Sequence, residues 1–225
     1  MLSRRVLGAL ALLAMPVAGH AAHEAVERLS TAAEVLTEVM GTPEKSIPQD
    51  LLGKAECAAI VPGVKKIGLG FGGKYGKGVL LCRAPGGKGW TGPSTVRIEG
   101  GSIGFQIGGS STDYVLLLMN KRGLEKLLES KFTLGADAAV AGGPVGRSAQ
   151  AQTDAQMHAE ILSYSRSRGA FAGVSLEGAT LRVDNDDNLR IYGKDVSPKA
   201  ILSGEVPAPD SAKLLISVLN KYSSR

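Results

Sequence analysis

The chain has 225 residues, of which 30 are glycine and only 4% are aromatic, and its formal net charge at pH 7 is +5. This length is enough for one substantial domain with its own core, but not for two domains of ordinary size. So mild a positive charge does not indicate nucleic-acid binding, although it is compatible with attraction to an anionic membrane surface.

The first 21 residues have the pattern of a secretory signal peptide. Arg4 and Arg5 precede an apolar run at 6–17, and small residues follow before a predicted cleavage site after Ala21. The run is too short to span a bilayer, and no cysteine stands where a lipoprotein would need one. The sequence therefore predicts a periplasmic or secreted chain with one domain at 22–225. A buried N-terminal helix is the alternative interpretation.

The next element is a predicted amphipathic helix at residues 23–40. Its apolar residues recur at helical spacing, and four glutamates lie elsewhere around the helix. The apolar positions are Val26, Leu29, Ala33, Leu36 and Met40. A short helical turn is predicted to follow, because Pro48 suits the first turn of a helix.

Residues 57–120 have a different pattern, in which apolar and β-branched runs are interrupted by glycine every few residues. This pattern predicts successive antiparallel strands joined by tight turns. A helix is predicted at 121–132, followed by an extended segment at 133–146 and a second set of strands at 158–184.

The C-terminal region is again predicted to be helical, at 197–204 and 208–222. Asp210 is the expected N-cap of the last helix. One stripe of that helix carries Leu215, Val218, Leu219 and Tyr222. The predicted fold class is therefore α+β: a glycine-rich antiparallel β core, sandwich or barrel-like, with N- and C-terminal helices packed against it.

Cys57 and Cys82 are the two cysteines of the sequence. In an exported chain an even pair predicts a disulfide. In the chain-entropy model this disulfide would stabilise the fold by about 3.5 kcal/mol. Two buried free thiols are the alternative, because cysteine also serves as a small core residue.

The glycines between the cysteines include a match to the GxGxxG pattern, at Gly68, Gly70 and Gly73. A dinucleotide-binding fold needs that pattern between a strand and a helix, whereas the segment that follows here predicts another strand. Gly68, Gly70 and Gly72 instead alternate with apolar residues. This alternation predicts a strand with one face of bare backbone, which lets a helix or a second sheet approach closely.

Three other partial motifs do not predict a catalytic or metal site. The segment at 142–148 lacks the P-loop spacing, and the segment at 173–178 has one residue too many for the nucleophile elbow of hydrolases. The segment at 184–195 matches only part of a calcium loop and is interpreted as a solvated turn.

Histidine is too scarce to build a metal cluster, since His158 stands apart from the two histidines near the N-terminus. Nothing in the spacing requires His158 to pair with Ser165 or Ser175 as a catalytic base. The sequence therefore predicts no catalytic residue, no metal and no cofactor.

Four lysines flank the glycine-rich stretch. They are either an ordinary solvated face or, if they meet beside an exposed Phe71 or Tyr75, a patch for anionic headgroups. Backbone amides freed by glycine would then add donors for phosphate oxygens. The candidate lipid-binding residues are Lys65, Lys66, Lys74, Lys77, Gly72, Gly73 and Gly76.

Five segments of the sequence go beyond composition, at 55–83, 89–109, 134–147, 164–178 and 184–193. Together they resemble the SYLF domain, a lipid-binding family that also occurs beside Src-homology and FYVE modules in actin-associated yeast and animal proteins. The likeness extends from about Thr31 to Tyr222 and keeps the order of the family's motifs.

The resemblance implies binding rather than catalysis: attachment to phosphoinositide-bearing membranes and, in some eukaryotic members, to actin filaments. Those members use a basic amphipathic segment near the start of the domain, whereas the helix predicted at 23–40 has Arg28 as its only arginine or lysine. An exported chain would meet neither actin nor phosphoinositides, so the expected ligands are phosphatidylglycerol, cardiolipin and envelope surfaces.

The leading hypothesis is therefore a non-enzymatic protein of the cell envelope that binds anionic phospholipid headgroups. The alternative is a structural or protein-interaction module of the periplasm, with an envelope protein as its partner and no lipid ligand.

Overall fold

A computed structural model describes residues 15–41, 46–129, 131–146, 156, 158–167, 170–174, 176 and 178–223. Most of the predicted signal peptide, Ser175 and the end of the P-loop-like segment lie outside the described residues. The helices are α1 (Met15–Met40), α2 (Gln49–Lys54), α3 (Lys121–Glu129), α4 (Asn185–Tyr192), α5 (Pro198–Leu202) and α6 (Lys213–Tyr222). The strands are β1 (Cys57–Cys82), β2 (Ser94–Leu118), β3 (Lys131–Thr133), β4 (Val140–Gly142), β5 (Ile161–Ser167), β6 (Ala170–Gly173) and β7 (Thr180–Val183).

The two longest strands, β1 and β2, pair along almost their whole length as one antiparallel ribbon. The pairing runs from Cys57 opposite Leu118 to Leu80 opposite Ser94. The prediction of several short strands joined by tight turns is therefore wrong. The register shifts between Val61 and Val64 and again between Gly68 and Gly70, and irregularities of this kind bend a strand without ending it.

The ribbon curls until the two ends of β1 meet. A straight strand of this length would extend for about 80 Å. Instead, the Cα atoms of Cys57 and Cys82 lie 3.9 Å apart, and a disulfide joins their sulfur atoms. Next to it, the main-chain N–H of Arg83 donates to the carbonyl oxygen of Glu56 at 2.8 Å. The predicted disulfide is confirmed, and it holds the curled strand closed.

Glycine allows the two halves of β1 to touch through their backbones. A Cβ atom added at Gly78 would lie 2.3 Å from the carbonyl oxygen of Ile60 and 2.7 Å from the Cα atom of Val61. At Gly76 the added atom would lie 2.6 Å from Cγ2 of Val64. The sequence predicted a close approach over a bare glycine face at 68–72, and the structure shows such an approach at Gly76 and Gly78.

Strand β2 is a central strand of the sheet: one edge pairs with β1, and its second edge pairs with other strands. There it pairs with β7 over residues 96–99 and with β5 over residues 113–118. Strand β3 extends β7, while β6 and β4 extend β5. The β4–β5 pair is parallel and the other pairs are antiparallel, so the sheet is mixed.

Buried side chains form two layers, one on each face of this sheet. On the outer face, α1, α2 and α6 pack against apolar residues such as Val79 and Leu81. On the inner face, Leu80 packs with Ile98, Phe132 and other residues of the curled sheet. Val79 and Leu81 thus face one layer and Leu80, between them, faces the other, as expected of a strand that is buried on both faces. The predicted α+β class, with terminal helices packed on a β core, is confirmed.

Three local predictions need correction. Val26 is 40% exposed, because the buried stripe of α1 follows Ala25 and Leu29 instead. Asp210 begins a short 3-10 turn that precedes α6, rather than capping α6 itself. Residues 185–192, interpreted as a solvated turn, form helix α4. In the described part of the chain, no helix is both long and apolar enough to cross a bilayer.

The contact between the two halves of β1 can be tested with two glycine substitutions. In Gly78→Ala the added methyl group meets backbone atoms that cannot move independently, so we expect a loss of at least about 2 kcal/mol in the free energy of unfolding. Gly101→Ala is the matched control, because an added Cβ there has no neighbour within 4 Å among the residues that the structure describes. Urea unfolding measures both variants. Equal midpoints for the two variants would contradict the contact.

Candidate functional site

Lys66 and Lys74 form the centre of the candidate site. They lie eight residues apart on β1, opposite Ser110 and Gly100 respectively. The hydrocarbon part of the Lys74 side chain passes over Gly100, since a Cβ atom added at Gly100 would lie 3.4 Å from Cε of Lys74. Glycine at this position therefore leaves the space in which the lysine side chain is half-buried.

The two lysines carry charge that no carboxylate in the described part of the chain neutralises. Burial lowers the pKa of Lys74, and the nearby positive charge of Lys66 lowers it further. Among the residues that the structure describes, neither ammonium group forms an ion pair with a carboxylate. An anion placed between the two groups would relieve their repulsion and favour the charged form of Lys74.

Lys65, Gly72 and Gly73 lie at the margin of this pair. Lys65 is exposed and precedes Lys66, so the alternation of the strand directs the two side chains to opposite faces. Gly73 is exposed, and among the described atoms an added Cβ there would have only the carbonyl oxygen of Gly100 as a neighbour, at 4.0 Å. Gly72 is half-buried. The main chain next to Lys74 is thus open to a ligand at Gly73.

Gly76 and Tyr75 have different surroundings. Gly76 is buried against Val64, so it offers no main-chain access to a ligand. Tyr75 is 48% exposed on the same stretch of β1 and can contact a membrane surface or a partner. The side chain of Phe71, the other aromatic residue considered for this role, lies outside the described residues.

Lys77 belongs to a buried ion cluster rather than to the lysine pair. Its Nζ atom lies 2.9 Å from Oδ2 of Asp184 and 3.0 Å from Oδ2 of Asp187. Burial alone would lower the pKa of Lys77, but the hydrogen bonds to the two carboxylates outweigh burial and raise it. Because its charge is already balanced, Lys77 is left out of the candidate site.

Asp187 joins three cations from separate elements. Arg28 of α1 approaches Oδ2 of Asp187 at 2.7 Å, and Arg190 of α4 approaches Oδ1 at 2.5 Å. Lys77 of β1 is the third cation, while the Asp187 side chain is only 3% exposed. This ion cluster, defined as Arg28, Lys77, Asp184, Asp187 and Arg190, fixes α1 and α4 to the sheet.

The residues that suggested a calcium loop are used in the structure of α4. The side chain of Asp184 caps the helix by accepting a hydrogen bond from the N–H of Asp187 at 3.3 Å. Oδ1 of Asn188 accepts a hydrogen bond from the N–H of Thr95 at 2.7 Å. In the described residues, no group of three or more His, Cys, Asp or Glu side chains could hold a metal ion.

The other sequence motifs do not assemble a site. Gly68, Gly70 and Gly73 lie within β1, so no helix follows them to receive a dinucleotide phosphate. His158 is exposed just before β5, while Ser165 is half-buried within that strand. Within the described residues, no hydrogen bond connects His158 with Ser165.

The ion cluster makes a testable prediction about stability. Asp187→Asn removes the charge that balances three cations, and we expect it to lower the free energy of unfolding by about 3 kcal/mol, as for other broken buried ion pairs. Asp186→Asn is the matched control, because that neighbouring carboxylate is exposed, and its effect should stay below about 1 kcal/mol. Chemical denaturation measures both.

The same variant pair tests the pH dependence. Burial alone would raise the pKa of Asp187, but hydrogen bonds from Lys77 and Arg190 and the charge of Arg28 bring it below its ordinary value. A depressed pKa in the folded state adds stability that is present above about pH 4 and lost as the pH falls further. Identical acid unfolding of the wild type and Asp187→Asn would contradict this role.

Comparison with known proteins identifies related sequences. The family model described as "Ysc84: Las17-binding protein actin regulator" matches residues 99–222. The chain is 36% identical over 184 residues to the SH3 domain-containing YSC84-like protein 1 of Rattus norvegicus, an alignment that covers 81% of this chain and 54% of that protein.

Two fungal proteins are similar to a comparable extent. An SH3 domain-containing protein of Schizosaccharomyces pombe, PJ696.02, is 38% identical over 180 residues, covering 79% of this chain and 41% of that protein. Protein YSC84 of Saccharomyces cerevisiae is 35% identical over 179 residues, covering 78% of this chain and 38% of that protein. The chain thus spans about half the length of the rat relative and less of the two fungal ones.

Proposed function

The chain belongs to the Ysc84 family, that of the SYLF domain, and from that premise we propose that it is a non-enzymatic protein of the cell envelope that binds anionic phospholipid headgroups. The observation that supports this proposal is the Lys66–Lys74 pair. Gly76 contacts Val64 where β1 crosses itself, so the curl brings Lys66 and Lys74, each two residues from that contact, near each other, and the charge of Lys66 lowers the pKa of Lys74. The described residues supply no carboxylate to balance the two charges. A phosphate group is the anion that a membrane surface offers at high local concentration.

The geometry suggests how a phosphodiester would bind. Its charged oxygens lie between the ammonium groups of Lys66 and Lys74, and the exposed main chain at Gly73 lies beside them. Lys65 adds a longer-range attraction from the neighbouring face of the strand. Since these contacts are largely electrostatic, binding should weaken as salt screens them over a Debye length of about 10 Å at 0.1 M.

Export from the cytoplasm is part of the proposal. Helix α1 begins at Met15 and continues through the predicted cleavage site after Ala21. Residues 19–24 are exposed or half-buried, and among the described side chains of α1 the first buried one is Ala25. Cleavage after Ala21 would therefore leave the described core contacts of α1 intact.

The cleavage site can be mapped directly. When the full sequence is produced in a bacterial host with two membranes, we expect the protein in the periplasmic fraction to begin at Ala22, as determined by N-terminal sequencing. A chain that stays in the cytoplasm with residues 1–21 attached would contradict the proposed export.

Vesicle co-sedimentation tests the headgroup site. The wild type should sediment with phosphatidylglycerol vesicles and not with phosphatidylcholine vesicles, and its retention should fall as salt rises. A triple variant, Lys65→Ala with Lys66→Ala and Lys74→Ala, removes three charges of roughly 1 kcal/mol each, so its partitioning should fall about a hundredfold.

A second triple variant controls for net charge. Lys88→Ala with Lys194→Ala and Lys213→Ala removes the same charge from exposed positions away from the pair, and we expect less than a tenfold loss. Equal losses in the two triple variants would show that only overall charge matters. Salt-independent retention would reject the electrostatic mechanism.

The family description favours one alternative. It names Las17 binding and actin regulation, which are protein interactions. The second candidate function is therefore a protein-interaction module of the envelope, whose partner is a periplasmic protein rather than actin. Co-purification of a specific protein, with no retention on either vesicle, would favour this alternative over the headgroup site.

A further inference from the structure

A cavity of about 480 Å³ lies at the point where the curled strand closes. Its walls come from α3, from α5 and from the turn after β1, and the Cys57–Cys82 disulfide contributes to its lining. Small-molecule sites in proteins commonly enclose about 300–1,000 Å³. The cavity shares no lining residue with the Lys66–Lys74 pair, so it is a separate candidate site.

The lining combines an apolar surface with charged groups. Leu124 and Leu128 of α3 and Leu202 of α5 line it beside the disulfide. Leu202 is 4% exposed, and Leu124 and Leu128 are half-buried. An apolar chain that covers these side chains would remove their remaining surface from water, which is favourable in proportion to the area covered.

Positive charge exceeds negative charge around this apolar surface. Arg83, Lys121 and Lys199 line the cavity together with Glu56 and Glu125. Lys121 and Lys199 are exposed, and among the described residues neither forms an ion pair.

Arg83 has a structural role, so the two lysines are the cations left for a ligand. The Nη2 atom of Arg83 donates to the carbonyl oxygens of Leu52 and Gly53 at 2.9 and 3.0 Å. Its guanidinium also stacks on Trp90, with Cζ 4.1 Å from the ring centroid.

We propose that this cavity binds a single-chain anionic amphiphile of the fatty-acid class. The hydrocarbon chain lies against Leu124, Leu128 and Leu202, and the carboxylate lies between Lys121 and Lys199. Charge complementarity selects this occupant over a neutral or cationic amphiphile of the same length, because the excess charge around the cavity is positive.

Isothermal titration calorimetry with the full chain tests the proposal. The probes are dodecanoate, dodecanol and dodecyltrimethylammonium, each below the concentration at which it aggregates. We expect saturable binding of dodecanoate, and at least tenfold weaker binding of the neutral and cationic probes with the same hydrocarbon chain. Equal affinity for the three probes, or no binding of dodecanoate, would overturn the proposal.

Two variants locate the binding. Lys121→Glu with Lys199→Glu should weaken dodecanoate binding at least tenfold, and acidic residues in the first turn of α3 or α5 are compatible with folding. Ser203→Trp places a large side chain at an exposed position of the cavity lining and should also reduce binding at least tenfold.

Two controls separate this site from general charge effects and from the headgroup site. Lys194→Glu with Lys213→Glu makes the same charge change at exposed positions that neither line the cavity nor adjoin a lining residue, and this variant should bind dodecanoate as the wild type does. The variant that lacks Lys65, Lys66 and Lys74 should also bind it normally. Wild-type affinity in either cavity variant, or an equal loss in either control, would overturn the assignment.

Discussion

The curl of β1 is the constraint on which the rest of the structure depends. A strand can return on itself at this distance only if one half has no side chains at the crossing, and Gly76 and Gly78 meet that requirement. The Cys57–Cys82 disulfide then holds the two ends together. The curl encloses the inner apolar layer, and it brings together the two ends of β1, where the cavity lies. It also brings Lys66 towards Lys74, two residues that a straight strand would hold about 26 Å apart.

The ion cluster connects this curled sheet to the helices. Lys77 faces the helical side of β1, where Asp187 approaches from α4, Asp184 from the residue that caps α4, and Arg28 from α1. Lysines that are neighbours in the sequence thus have different roles, because alternation along a strand directs them to different faces. Lys77 stabilises the packing of helices on the sheet, whereas Lys66 and Lys74 form no ion pair with the carboxylates that the structure describes. The headgroup proposal depends on that division.

Much of the fold could be predicted from the sequence because its signals are local. The stripe that contains Leu215 and Leu219 predicts a helix and its buried face, and the two cysteines predict a disulfide. The continuous ribbon could not be predicted in this way, because a glycine in a strand and a glycine in a turn look alike without knowledge of the partner strand. The structural role of Lys77 could not be predicted from the sequence either, since its carboxylate partner Asp187 lies 110 residues further along the chain. The cavity is assembled from α3, α5 and the ends of β1, so no single segment indicates it.

The most direct test of the account is an NMR titration of the lysine side chains in the folded protein. The curl places Lys66 near a half-buried Lys74, so the pKa of Lys74 should lie below its ordinary value of 10.5 and should rise in Lys66→Gln, when the repulsion is removed. Added glycerophosphate should also raise it in the wild type, because an anion between the two lysines favours the charged form. A Lys74 that titrates at the ordinary value and responds neither to Lys66→Gln nor to glycerophosphate would contradict the account.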